Sequence, residues 1–156
     1  MPRLAPVRSS VRRGVLAELV MRVFQVNFFG PIMLARGLIE ELKRAKGSVV
    51  NVTSIAGSRV HPFAGAAYAT SKAALASLTR EMASDFGRVG VRVNAIAPGE
   101  IDTSILSPGT EKLVEQIPMR RLGTPDEVAK IIYVLCTETG SYVNGAEIHI
   151  NGGQHV

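Results

Sequence analysis

The sequence predicts an α/β fold: a parallel sheet of about three strands flanked by helices. Two observations carry this. Short β-branched runs alternate with longer segments whose apolar residues recur every three to four positions. Strands alternating with helices in this way are joined by crossovers, expected to be right-handed, and form a parallel sheet. The 156 residues are 46% hydrophobic and 20% charged, a globular composition at the length of one domain.

Residues 15–45 carry a long helical pattern, with Leu16, Leu19, Val20 and Val23, then Leu34, Leu38 and Leu42. Gly30-Pro31 interrupts it, and a kink is expected there. Gly47 ends the pattern. "SVVNVT", residues 48–53, reads as a buried strand, and residues 54–65 as a glycine-containing loop. Residues 66–87 are helical, with Leu75, Leu78, Met82 and Phe86 on one stripe and alanines on a second, thin face. A second strand covers 91–97 and stops at Pro98-Gly99. Residues 101–118 are irregular, with a short helical piece around 111–116. "TPDE", residues 124–127, starts a helix: Thr124 caps, Pro125 suits the first helical position, and Glu127 completes a capping box. Val128, Ile131, Ile132 and Leu135 follow on one face. Asn144-Gly145 turns the chain into a last strand over 146–150, ended by Asn151-Gly152-Gly153.

No uninterrupted apolar run approaches the ~20 residues of a membrane span, so no membrane partner is expected. The single cysteine, Cys136, offers no disulfide framework, which fits a reducing, cytoplasmic setting. Its place in an apolar helical pattern reads as an inert core thiol. The net charge of +5 is uneven: Arg3, Arg8, Arg12 and Arg13 precede the first acid, Glu18. Setting those four aside leaves fourteen basic against thirteen acidic residues, so no basic face for nucleic acid is expected. Residues 1–14 read as a basic tail outside a domain of residues 15–156.

Ligands of parallel α/β sheets bind beyond the carboxyl ends of the strands. Ser54 follows the first strand there, and Pro98-Gly99 the second. Tyr68 and Lys72 open the helix between those strands, one turn apart on one face. Ser54, Tyr68 and Lys72 therefore converge by topology. A phenol is a poor acid or base at neutral pH, but a neighbouring ammonium favours its ionised form. The set suits moving a proton on and off a carbonyl or alcohol oxygen. It does not suit acyl transfer: His61 is the one histidine near Ser54, and there is no G-x-S-x-G elbow.

These residues lie within motifs that resemble the short-chain dehydrogenase/reductases, with wording closest to bacterial 3-oxoacyl-carrier-protein-reductase-like members. "NVTSIAG" (51–57) looks like the family's strand-end serine motif, and "YATSK" (68–72) matches its Y-x-x-x-K. "VRVNAIAPGEIDT" (91–103) resembles its N-x-x-x-P-G segment, and "VFQVNFFG" (23–30) the helix carrying its active-site asparagine. "RLGTPDEVA" and "SYVNGAEIHINGG" resemble its C-terminal helix start and last strand. The resemblance runs from about residue 15 to the end. It implies a Rossmann-like, doubly wound sheet and NAD(P)-dependent carbonyl/alcohol interconversion on a small-molecule substrate, with NAD or NADP as cofactor.

The resemblance also implies roles. Tyr68 would be the acid/base, and Lys72 the residue that favours its ionised form and bonds the nicotinamide ribose. Ser54 would bind the substrate oxygen, and Asn27 would hold a water in the proton relay. Pro98, Gly99 and Ile101 would wall the nicotinamide, with Thr103 near its carboxamide or the phosphates. Asn27 as a polar group of the helix kink, and Thr103 as a cap of the following turn, are the structural alternatives. The loop 101–118 would cover the substrate, with Ile101, Ile105, Leu106 and Ile117 either lining it or packing on the sheet.

The chain departs from the family at its start. No G-x-G occurs among its 15 glycines, and "MPRLAPVRSSVRRG" stands where an N-N-A-G segment is expected. The sequence therefore reads as the C-terminal half of such an enzyme, without the glycine-rich loop and the first four strands. The alternative function is an inactive, truncated chain that serves as an oligomerisation module. Apolar helix faces and "SVVNVT" as an edge strand predict a homo-oligomer.

Overall fold

A computed structural model describes residues 10–104, 106 and 109–156. Three strands, β1 (Ser48–Val52), β2 (Arg92–Pro98) and β3 (Glu147–Ile150), form one parallel sheet in the order β1-β2-β3. The long N-terminal helical pattern is split into α1 (Ser10–Phe24), a π-helical turn (Gln25–Phe29), α2 (Gly30–Gly37) and α3 (Ile39–Ala45). Then α4 (Gly65–Gly87) joins β1 to β2, and a short α5 (Glu111–Val114) and α6 (Pro125–Cys136) lie between β2 and β3.

The kink expected at Gly30-Pro31 is a widening of the helix just before it. Pro31 has no N–H, and its ring would meet the carbonyl four residues back, that of Asn27. The turn absorbs this by a five-residue hydrogen bond, Gly30 N–H to Gln25 O. The helix begins at Ser10, so the last residues of the expected tail are helical; residues 1–9 lie outside the described chain. Length and composition would let Ala17–Gly37 cross a bilayer, with a mean hydropathy of 1.2. Here it packs along α4 and carries Arg22 and Arg36.

The odd-numbered residues of β1 and β2 face α4. Val49 and Val93 pack with Ala35, Leu78, Met82, Ala83 and Phe86, and buried Asn51 donates to Thr79 Oγ1 at 2.9 Å. The even-numbered face carries α6: Ser48 Oγ donates to Leu135 O at 3.0 Å, and Arg92 reaches the carbonyls of Leu135 and Thr137 at the helix end. The capping box of α6 is formed as expected, Thr124 with Glu127. Because α4 and α6 lie on opposite faces while the strands advance in one direction, the two crossovers have opposite hands. The expectation that both are right-handed fails. The long segment between Gly99 and Thr124 is the reason: it carries the chain over the end of the sheet, which a tight crossover cannot do.

Buried Asn94 belongs to the N-x-x-x-P-G segment and is structural. It donates to Val143 O at 2.8 Å and accepts from Ala146 N–H at 3.0 Å, seating β3 on β2. Cys136 is exposed at the end of α6 and is not the core thiol expected; the buried position of that face is Leu135. Ile117, 2% exposed, packs against the Gly152 turn, and Ile105 lies outside the described residues.

Candidate active site

At the carboxyl end of the sheet a cavity of about 680 Å³ opens, lined by Ser54, Tyr68, Pro98, Gly99, Ile101 and Thr103 among others. Six of the eight residues singled out from the sequence therefore share one space. Leu106 lines it too. Ser54 caps a short 3₁₀ turn (Ile55–Gly57), and its Oγ accepts the Ala56 N–H at 3.2 Å. That leaves the serine O–H available to donate to an incoming oxygen. Gly99 is required by close approach: a Cβ there would meet Gln154 Oε1 and lie 2.7 Å from Asn151 Cβ and 3.0 Å from Asn151 Cα.

Tyr68 is partly exposed, and Lys72 Nζ stands 5.6 Å from the centre of its ring. Lys72 Nζ donates to Val52 O at 2.7 Å. That carbonyl belongs to the open edge. Thr53 N–H bonds Ile96 O on β2, so the backbone groups of its neighbour Val52 point the other way. Burial lowers the Lys72 pKa from its ordinary value.

Asn27 does not line the cavity. It sits in the π-helical turn, and its Nδ2 donates to Ser71 Oγ at 3.0 Å; Ser71 Oγ in turn donates to Tyr68 O at 2.8 Å. Asn27 is thereby tied to the helix turn that carries Tyr68 and Lys72. Sequence reasoning did not single out Ser71 or Glu100, and it named His61 only as the histidine near Ser54. Ser71, buried between Tyr68 and Lys72, could have been found from its position in "YATSK". Glu100 and His61, which meet in the cavity wall, are 39 residues apart and carry no local signal.

The family model described as enoyl-(acyl carrier protein) reductase matches residues 14–155. The chain belongs to the short-chain dehydrogenase/reductase family. Protein FixR of Bradyrhizobium diazoefficiens is 68% identical over 137 residues, which is 87% of this chain and 49% of that protein. A short-chain dehydrogenase/reductase from Brucella ovis, solved in complex with a partially ordered NAD, is 70% identical with a TM-score of 0.66; the match covers 82% of this chain and 50% of that one. A 3-oxoacyl-[acyl-carrier protein] reductase from Brucella melitensis, solved with bound NAD, is 34% identical with a TM-score of 0.84, covering 90% and 53%. The chain thus spans about half the length of these relatives, and its three-stranded parallel sheet corresponds to part of the Rossmann-like fold of the solved ones.

Proposed function

We propose that this chain carries the proton-transfer half of an NAD(P)-dependent oxidoreductase that interconverts small-molecule carbonyls and alcohols. The observation that carries the reading is the convergence of Ser54 and Tyr68 with Pro98, Gly99, Ile101 and Thr103 on one cavity, with Lys72 beside the tyrosine ring. The solved relatives named above hold NAD, which supports a nicotinamide cofactor for this chain. The residues present fit one end of it. Pro98, Gly99, Ile101 and Thr103, with Val128 and Ile132 of α6, offer a largely apolar wall for a flat ring. Lys72 offers an ammonium for a ribose hydroxyl. The sequence holds no G-x-G turn to cradle a pyrophosphate.

When bound, the nicotinamide supplies or accepts the hydride. Tyr68 holds the proton: its O–H donates to the carbonyl oxygen in reduction and takes the proton back in oxidation. Ser54 donates its free O–H to the same oxygen and holds it against the phenol. Lys72, once released from Val52 O, favours the ionised phenol by its charge. Asn27 orients the first turns of α4 through Ser71. The test is a chimera that joins the first half of the Brucella ovis relative to residues 15–156. Tyr68→Phe in that chimera is expected to cut turnover by roughly 10²–10⁴, the range for a positioned acid–base. An unchanged rate would sink the assignment.

A further inference from the structure

We propose that His61 and Glu100 form a subsite for a cationic group, so that the substrate of this chain is a ketone or secondary alcohol that also carries an ammonium. The inference rests on the cavity being the carbonyl/alcohol site proposed above. His61 and Glu100 line the same cavity as Ser54 and Tyr68. His61 Nε2 lies 2.5 Å from Glu100 Oε1, and the two side chains are only 15% and 10% exposed.

The hydrogen bonds around His61 favour one tautomer. Phe63 N–H donates to His61 Nδ1 at 3.3 Å, so Nδ1 is an acceptor and Nε2 carries the proton given to Glu100. A protonated ring would set a second N–H against that of Phe63. In that tautomer the ring gives Glu100 one N–H and the carboxylate carries the formal charge of the pair. Glu100 is also held in place: its N–H donates to Gln154 Oε1 at 3.3 Å, and its C=O accepts from Gly123 N–H at 2.9 Å.

Among the described residues no lysine or arginine is paired with the Glu100 carboxylate, and its second oxygen accepts no hydrogen bond. Arg59 is bonded to Gln154 O, and Arg121 to Glu127. The surrounding wall is mostly apolar, with Ile55, Phe63, Leu106 and Ile132. A mostly buried carboxylate with one neutral donor is left under-compensated. A ligand ammonium makes good that deficit, a neutral group does not, and an anion is repelled.

The test measures binding of three alcohols of one shape to the 156-residue chain at neutral pH and low salt, by amide shifts in NMR titration. They are 4-aminocyclohexanol, 4-methylcyclohexanol and 4-hydroxycyclohexanecarboxylate. The amine is expected to bind at least tenfold more tightly than the methyl compound, about 1.4 kcal/mol, and the carboxylate most weakly. Glu100→Gln should shrink the preference below threefold, and Glu100→Asp should keep it. If E100Q does not fold, the wild-type ratio decides, with the amine's shifts centred on His61 and Glu100. Equal binding of amine and methyl compound, no binding of the amine, or a preference that survives E100Q overturns the proposal. No turnover enters these readouts. An unchanged rate in the Tyr68→Phe chimera would therefore defeat the dehydrogenase reading while leaving the ammonium preference standing.

Discussion

Gly57→Ala tests how closely the serine turn is seated on the helix that carries Tyr68 and Lys72. A Cβ built on Gly57 would lie 2.9 Å from Ala73 N and 3.0 Å from Lys72 C. Both are backbone atoms of α4, so neither can swing aside. Ordinary contact needs about 3.5 Å, so the turn or the helix must retreat by roughly half an ångström. Overpacking of this kind costs about 1–3 kcal/mol. The alanine recovers about 0.4–1 kcal/mol by restricting the unfolded chain. A net loss between about 0 and 2.6 kcal/mol follows, centred at ~1.3 kcal/mol, or a fall in Tm of roughly 3–5 °C at that centre with the 2–4 °C per kcal/mol usual for this size. Gly37→Ala is the control, because nothing lies within 4 Å of its Cβ and the residue is helical; it should be neutral or stabilising by up to about 1 kcal/mol. Urea denaturation followed by circular dichroism reads both. A G57A midpoint at or above that of the wild-type chain would show that the turn does not press on α4. In the chimera the same variant should also slow turnover, since the retreat separates Ser54 from Tyr68.

Calorimetric titration of the 156-residue chain with NADH and NADPH is expected to give dissociation constants no tighter than about 1 mM, near −4 kcal/mol. Two charge-assisted hydrogen bonds at ~1.5–3 kcal/mol each stand against an association cost of at least ~4 kcal/mol, and a micromolar constant would refute this. Glu127 tests the start of α6: its hydrogen bond from Arg121, and after it that from Thr124 N–H, hold its pKa at about 2, against an ordinary 4.5. A lowered carboxylate pKa stabilises the fold above the unfolded value and is lost as pH falls through the folded one. The Tm gap between wild type and Glu127→Ala should therefore be full at pH 6 and shrink between pH 4.5 and 2; a gap constant with pH would rule the linkage out. Self-association is expected because Met21, Val26, Met33 and Leu34 are each more than 60% exposed on one helical run. A monodisperse monomer by light scattering at micromolar concentration would contradict it.

Local features were legible because their causes lie within a few residues. The apolar spacing of Leu75, Leu78, Met82 and Phe86 marks α4 and the face it buries, and Thr124 with Glu127 marks the start of α6 through two short-range hydrogen bonds. The order strand, serine, loop, Tyr68, Lys72, strand, Pro98-Gly99 was enough to bring Ser54 and Tyr68 to one cavity, since parallel strands must start and end together. Tertiary structure decided what depends on contacts between distant segments. Apolar periodicity does not say on which face of the sheet a helix lands, so the opposite hands of the two crossovers were hidden. Nor does it tell a buried turn from an exposed helix end, as Cys136 shows. The π-helical turn at Asn27 needed Pro31 and the packing on α4 together. Lys72 finds the Val52 carbonyl only because β1 has an open edge, and His61 finds Glu100 only because two loops close over the same end of the sheet. Local patterning thus determined which residues could form a site, and the long-range packing determined their partners, because hydrogen bonds and charges act through space and not along the chain.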